Sequence, residues 1–110
     1  MDPALAGFDW DDGNRSKCEQ HGVSVADIEA MFMQPVAVFP APFRSRAEAR
    51  FIAIGKSALR RHMFVAFTMR DQGDELLIHP ISARYMHQKE VRHYEEQAAA
   101  AEKAARPEKR

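Results

Sequence analysis

The chain has 110 residues and a mass of 12.5 kDa, enough for one domain and too little for a second core. Its composition, 45% hydrophobic and 29% charged, is typical of a globular protein and argues against wholesale disorder. No run approaches the ~20 apolar residues of a membrane span, and the acidic amino terminus does not resemble a signal peptide. We therefore expect a cytoplasmic protein without membrane contact. The single cysteine, Cys18, excludes an internal disulfide and a cysteine-built zinc site.

The formal net charge is zero, but the charges are segregated along the chain. Residues 1–30 carry seven acidic and two basic side chains, whereas residues 44–61 carry six basic side chains and one acidic one. A basic block of this kind attracts phosphate or an acidic protein partner. The plainer interpretation is a solvated strand edge and loop, and the sequence leaves both open.

The amino-terminal segment predicts a short helix after a loose lead-in over residues 1–7. Asp11 or Asp12 can cap this helix, because a carboxylate accepts hydrogen bonds from the free backbone N–H groups of the first turn. The helix is expected to end near Gln20, where Gly22 supplies the backbone freedom for a stop.

A second helix is predicted to begin at Ser24, which can cap it, and to carry its apolar residues at helical spacing. Pro35 ends this helix because proline cannot continue the helical hydrogen bonds. A short strand is expected over residues 36–39, and Pro40 and Pro42 then break the chain into a loop.

Three strands with short connectors are predicted next, over residues 50–56, 62–70 and 75–84. Short connectors favour antiparallel pairing of consecutive strands, and Gly73 supplies turn freedom in one of them. Pro80 cannot donate a ladder hydrogen bond, so it marks an edge position or a bulge.

After Arg84 the pattern returns to that of a helix. The order of elements predicts an α+β domain: an antiparallel β-sheet meander packed by two N-terminal helices and one C-terminal helix. Residues 1–97 are expected to form the single domain. Residues 98–110 are expected to form a helical extension with a charged, frayed tail.

The start of the last predicted helix is dense in polar side chains. Arg84 lies at a strand-to-helix junction, where its fork suits two phosphate oxygens. Glu90 and Tyr94 follow one turn apart and can take part in proton transfer. The plainer interpretation is that Glu90 pairs with Arg84 or Arg92 and anchors the helix.

Histidine suits proton transfer near neutrality, and the chain has five. His21 lies at a helix end, where a cation favours the dipole, and this is a sufficient structural reason for it. His87 and His93 are six residues apart on different helix faces, and no zinc motif is present, so we expect no metal and no cofactor. Cys18 is expected to be an idle thiol.

Four segments of the chain resemble the BrnT toxin family, in order from Phe8 to about Glu95. They are FDWDDGNRSKCEQHGVSVADIEAMF at 8–32, EARFIAIG at 48–55, VAFTMR at 65–70 and ISARYMHQKEVRHYE at 81–95. The first and the last are the specific ones. They combine a WD pair, a helix, HGVS, and then ISAR with an acid and a tyrosine beyond it.

This resemblance implies the toxin of a type II toxin–antitoxin pair, with a fold similar to RelE-type ribonucleases. Such toxins cleave RNA without a metal and halt translation. The implied partner is a BrnA-like antitoxin whose ribbon-helix-helix part binds operator DNA, so that the toxin meets this DNA only through the antitoxin. The recurring family positions are occupied here by Trp10, Asp11, His21, Gly22, Glu48, Arg50, Gly55, Ser82, Arg84, Glu90 and Tyr94.

Metal-free RNA cleavage uses the ribose 2′-hydroxyl as nucleophile and requires a base, a cation for the phosphorane and an acid. We assign Arg84 and Arg50 as the phosphate cations, which can each supply ~10²–10³ in rate. Proton transfer is assigned to His21, Glu90 or Tyr94, in an order that the sequence does not determine. The residues expected to hold the RNA backbone are Arg44, Arg46, Arg60, Arg61 and Lys89.

Two other functions fit the same sequence. A catalytically inactive toxin-like module that only binds its antitoxin is compatible with the zero net charge. A non-catalytic nucleic-acid-binding module would use the basic block at residues 44–61. RNA cleavage by the purified protein separates the enzyme from both alternatives.

Overall fold

A computed structural model describes residues 5–41 and 49–105. Arg44, Arg46 and Glu48, and the tail beyond Ala105, lie outside the described residues. The elements in chain order are β1 (Leu5–Phe8), α1 (Asp12–Glu19), α2 (Val25–Phe32), β2 (Ala37–Pro40), β3 (Phe51–Lys56), β4 (His62–Gln72), β5 (Glu75–Tyr85) and α3 (Gln88–Ala105). The α+β class, with two helices before the meander and one after it, is confirmed.

The five strands form one sheet in the order β1-β5-β4-β3-β2. Strands β2 to β5 are the predicted antiparallel meander. The lead-in predicted for residues 1–7 is wrong in its second half, because β1 pairs parallel to β5 and makes the sheet mixed. The strand is four residues long, is irregular around Gly7 and pairs with residues about 70 positions away. The local sequence of this strand therefore gives little indication that it is a strand.

The two N-terminal helices begin where the sequence places their caps. Asp11 accepts a hydrogen bond from the backbone N–H of Asn14, whose side chain in turn accepts one from the Asp11 N–H, which completes a capping box. This backbone hydrogen bond is the main cause of the lowered pKa of Asp11. Gly22 follows α1 with φ +83°, a conformation that favours glycine. Ser24 caps α2 by accepting from the N–H of Asp27.

The sheet has two unlike faces, because successive side chains of a strand point to opposite sides. We call the face packed by α1 and α2 the core face. It carries Met63, Val65 and Phe67 of β4, and these side chains join a buried cluster with Ile28 and Met31 of α2. We call the other face the second face. Alternation puts Phe64, Thr68 and Arg84 there.

The apolar side chain of Phe39 does not join the core. It lies on the edge strand β2, opposite Ile52, and therefore points to the second face with 43% of its surface exposed. Its ring meets the ring of Tyr94 from α3 at a centroid distance of 6.4 Å. Helix α3 therefore crosses the second face towards β2. Within the part of the chain that is described, no helix is long and apolar enough to cross a membrane.

Pro80 of β5 lies at a bulge, one of the two positions that the sequence predicts for it. Ala66 pairs with Ser82 and Phe67 pairs with Pro80, which leaves Ile81 as the extra residue of β5. The pairing of β1 with β5 ends before this point, at Ile78. The backbone carbonyl of Pro80 accepts a hydrogen bond from the side chain of Asn14.

Gly55 of β3 gives α2 its close approach to the core face. A Cβ at this position would lie 2.7 Å from Cγ of Met31 and 2.8 Å from Cγ1 of Val36. Real Cβ atoms do not approach neighbours this closely, so the glycine is required for packing.

We expect Gly55→Ala to lower the free energy of unfolding by roughly 1–3 kcal/mol, the usual cost of overpacking a core. Urea unfolding followed by circular dichroism measures it. The matched control is the same substitution in a Val36→Ala background, which removes one of the two clashing atoms. If Gly55→Ala lowers the free energy of unfolding by as much in that background as in the wild type, the steric explanation is contradicted.

Candidate functional site

Arg84 and Glu90 form a two-pronged ion pair where β5 passes into α3. Nη1 of Arg84 donates to Oε1 of Glu90 at 2.8 Å, and Nη2 donates to Oε2 at 2.9 Å. Oε1 also accepts from the backbone N–H of His87 at 2.9 Å. Glu90 therefore fixes the guanidinium and satisfies a backbone donor at the start of α3.

These contacts decide what Glu90 can do chemically. The hydrogen bonds from Arg84, and then the one from the backbone of His87, hold the pKa of Glu90 at about 2, below its ordinary 4.5. The same pair raises the pKa of Arg84. A carboxylate with so low a pKa is a poor proton acceptor at neutral pH. The geometry therefore favours the anchoring role that the sequence left open for Glu90.

The ion pair lies in a groove of about 470 Å³ between α3 and the second face. We call it the α3 groove. The guanidinium of Arg84 lies over the ring of Phe64, 4.8 Å from its centroid. Lys89 and Tyr94 line the same groove. Three of the five predicted catalytic residues, Arg84, Glu90 and Tyr94, are thus brought together with one predicted RNA-binding residue.

Tyr94 is half-buried where α3 crosses the sheet. Its ring contacts Phe39 at 6.4 Å and His62 at 6.1 Å, both edge-to-face. His62 also lies 3.9 Å from the carboxylate of Glu95. Tyr94 therefore has a packing role in addition to its place in the groove.

His21 is not part of this arrangement. It is exposed in the turn between α1 and α2, and these helices pack against the core face. The sheet therefore separates His21 from Arg84. The helix-end interpretation made from the sequence fits this position.

Arg60 and Arg61 lie in the turn between β3 and β4. Arg60 has φ +66°, an uncommon conformation for a residue with a side chain. The guanidinium of Arg61 stacks on the ring of Tyr85 at 4.0 Å, and the Tyr85 hydroxyl donates to Asp27 of α2. Burial, and then the bond to Asp27, raise the pKa of Tyr85. Arg61 is therefore on the core-face side of the sheet, opposite Arg84.

Arg50 comes immediately before β3, and its carbonyl accepts a hydrogen bond from the N–H of Ala41. Alternation places it on the second face, in the cross-strand row of Thr68, whereas Arg84 lies in the row of Ile54. From strand spacings, the Cα atoms of the two arginines are about 16 Å apart. The two predicted phosphate cations thus share a face but do not converge on one point.

A second polar cluster lies at the β1 edge of the second face. Oδ2 of Asp9 is 3.0 Å from Nδ1 of His79 and 3.6 Å from Nη1 of Arg70. The buried Asn14 donates to the carbonyls of Asp9 and Pro80, at 2.9 and 2.8 Å. We call Asp9, Asn14, Arg70 and His79 the edge cluster. No motif in the sequence indicates it, because its members are up to 70 positions apart and are brought together only by the pairing of β1, β4 and β5.

Neither a metal site nor a reactive thiol is found among the described residues. No group of three or more histidine, cysteine, aspartate or glutamate side chains in these parts of the chain is placed to hold a metal ion. Cys18 is fully buried, and burial raises the pKa of its thiol to about 11. The burial and the raised pKa of this thiol fit the prediction that it does not act as a nucleophile.

Comparison with known families bears on the chemistry of the α3 groove. A family model described as "Ribonuclease toxin, BrnT, of type II toxin-antitoxin system" matches residues 10–90, which is most of the chain. The match ends at Glu90 and so includes both members of the ion pair. A search of the curated proteins found no significant match.

The ion pair predicts how stability depends on pH. Because the pKa of Glu90 is lowered from 4.5 to about 2, its contribution to folding is fully present above pH 4.5 and is lost as the pH falls towards 2. The stability of wild type relative to Glu90→Gln should therefore be greatest at neutral pH and shrink through that window. Urea unfolding at a series of pH values measures it.

The matched control for removal of a charge from α3 is Glu96→Gln, an exposed position of the same helix. A difference between wild type and Glu90→Gln that stays constant from neutral pH down through that window would contradict the assigned pKa shift.

Proposed function

The chain belongs to the BrnT family of ribonuclease toxins of type II toxin–antitoxin systems, and on that premise we propose that it is a metal-independent endoribonuclease that inhibits translation. The observation that carries the proposal is Arg84, held by Glu90 at the mouth of a groove that also presents Lys89 and Tyr94. Two cations and a phenol along one groove suit the backbone of a single RNA strand.

The pairing of Arg84 with Glu90 still leaves donors for RNA. A guanidinium has five N–H groups, and two of them bond Glu90. Three remain for phosphate oxygens, and the ion pair holds them in a fixed orientation. A guanidinium held in this way binds a backbone phosphate without a further loss of side-chain freedom.

Arg50 lies on the same face and extends the positive surface beyond the groove. Since the two arginines are about 16 Å apart by strand spacing, we propose that they bind different phosphates of one RNA strand. One of these is the phosphate that reacts. Arg50 is half-buried, which favours a defined position for its charge.

Of the three groups assigned to proton transfer, Tyr94 has the position that suits RNA binding best. It lines the groove beside Arg84, whereas His21 lies across the sheet and Glu90 is engaged in the ion pair. We propose that the Tyr94 hydroxyl hydrogen-bonds the RNA backbone in the groove.

The remaining predicted RNA contacts divide between the two sides of the sheet. Lys89 lies in the groove, and Arg60 and Arg61 are at the β3–β4 turn near α2. We propose that Lys89 contacts the bound strand directly. Arg60 and Arg61 attract RNA at longer range, an effect that weakens with salt.

Membership of the family implies an antitoxin partner. We propose that this partner is BrnA-like, binds operator DNA through a ribbon-helix-helix part, and neutralises the toxin by covering the α3 groove in the cytoplasm. Phe39 of the neighbouring edge strand points to the same face, is 43% exposed and extends the apolar rim that a protein partner would cover.

A second candidate function is an inactive toxin-like module that only binds its antitoxin. Two observations favour it: Arg84 is ion-paired with Glu90, and the formal net charge is zero. A binder without catalysis is the third candidate. It gains less support, because the basic residues of the 44–61 block that are described lie on both sides of the sheet.

We expect the purified protein to cleave single-stranded RNA in the presence of EDTA, and Arg84→Ala to lower the rate at least about tenfold, because a guanidinium aimed at phosphate is lost. Gel analysis of a labelled RNA measures the rate, and induced expression tests growth arrest. The matched control is Arg92→Ala, an exposed arginine of α3. Equal cleavage and equal toxicity by a folded Arg84→Ala protein would remove Arg84 from the site.

We expect co-expression of the adjacent reading frame, if it encodes a ribbon-helix-helix protein, to abolish growth arrest and to give a complex that co-purifies. In that complex the backbone amides of Lys89 and Phe39 should exchange hydrogen more slowly than in the free toxin, because the partner covers the groove and its rim. Hydrogen exchange measured by mass spectrometry tests this. Neutralisation with the groove still accessible would contradict direct occlusion.

A further inference from the structure

The edge cluster holds a histidine in the arrangement of an oriented general base. His79 is 8% exposed, and its Nδ1 lies 3.0 Å from Oδ2 of Asp9. Because an ionised carboxylate can only accept, Nδ1 carries the hydrogen, and in the neutral imidazole Nε2 is left with a lone pair. No hydrogen bond to Nε2 of His79 occurs within residues 5–41 and 49–105.

Asn14 shows that this orientation is supported by the surrounding structure. Its side-chain nitrogen donates to the backbone carbonyl of Asp9, one member of the pair, and to that of Pro80, which directly follows His79. The same nitrogen is 3.5 Å from Nδ1 of His79, but both atoms are donors in this tautomer, so the imidazole hydrogen goes to Asp9. A base oriented by a carboxylate is the arrangement used for nucleophile activation.

The residues around His79 suit a phosphodiester. Thr68 is its cross-strand partner, is 2% exposed, and has a hydroxyl that bonds no other group in the described part of the chain. Arg70 lies two residues along the same strand and on the same face, 3.6 Å from Asp9. Arg50 lies on the far side of Thr68 in the same row. These residues therefore place two guanidinium groups and a buried hydroxyl around the imidazole.

We propose that His79, held by Asp9, accepts the proton of the RNA 2′-hydroxyl, an assignment that rests on the proposed ribonuclease function. The 2′-oxygen attacks the adjacent phosphorus while its proton passes to Nε2 of His79. The bond from phosphorus to the 5′-oxygen breaks, and that oxygen takes a proton from water. The products are a 2′,3′-cyclic phosphate and a 5′-hydroxyl, and His79 returns its proton to the hydroxide left in solution.

This assignment gives the two ends of the second face different tasks. His79 and Arg84 both belong to β5, about 13 Å apart by strand spacing. The reacting phosphate lies at the edge cluster with Arg50. Arg84 and the α3 groove hold the RNA strand beyond it.

The test compares wild type, His79→Gln and Asp9→Asn in single-turnover cleavage of a short single-stranded RNA across a range of pH. His79→Gln should lower the rate at least about 100-fold and abolish its rise with pH, since a general base supplies ~10²–10⁴. Asp9→Asn should lower the rate at least tenfold, and the RNA affinity of both variants should stay within twofold of wild type. His87→Gln, an exposed histidine, is the matched control and should cleave like wild type.

Among the described residues, the charged groups that face His79 are Asp9 and Asp11 ahead of α1, Arg70 of β4 and, across Thr68, Arg50. A purely structural role predicts a lower melting temperature with an unchanged pH profile, and that outcome overturns the assignment. A folded His79→Gln protein that cleaves RNA at the rate of an active wild type also overturns the assignment. If wild type does not cleave RNA at all, the proposed function fails together with it.

A second measurement covers the case in which His79→Gln does not fold. The wild-type protein, labelled with ¹⁵N in histidine, is mixed with an RNA that carries a 2′-deoxy residue at the cleavage position. We expect the Nε2 resonance of His79 to shift on binding, while that of His87 stays in place. Binding without a change at His79 overturns the proposal.

Discussion

The long antiparallel pairing of β4 with β5 is the constraint on which the rest of the structure depends. It joins ten residue pairs, from Met63 with Tyr85 to Gln72 with Glu75. Because side chains alternate along a strand, this register puts Met63, Val65 and Phe67 into the core and Phe64, Thr68 and Arg84 on the second face. A slip by one residue would exchange the two sets, so the apolar core and the polar face fix the register together.

The ion pair of Arg84 with Glu90 connects this sheet to α3. Arg84 lies near the end of β5, and Glu90, in the first turn of α3, binds it while also accepting from the backbone N–H of His87. One carboxylate therefore orients a cation and helps to begin a helix. An exposed ion pair contributes little to stability in general, so its main consequence is positional: it fixes where the guanidinium meets the groove.

The edge cluster connects β1 to the sheet, as the ion pair connects α3 to it. Asp9 follows directly after β1, and its bonds to His79 and Arg70 tie the parallel strand and the start of α1 to the centre of the sheet. A carboxylate, an imidazole and a guanidinium at one sheet edge are costly to bury unless they are paired. Their mutual bonds meet that requirement and leave Nε2 of His79 available.

The sequence by itself determined the helix caps, the antiparallel meander, the bulge as one of two roles for Pro80, and the family. These features depend on contacts between near neighbours or on motifs of adjacent residues. The tertiary structure alone decided that β1 is a strand, that Phe39 is exposed, that His21 lies across the sheet from Arg84, and that Asp9 meets His79. Each of these depends on pairing between residues far apart in the chain, which a local sequence pattern does not indicate.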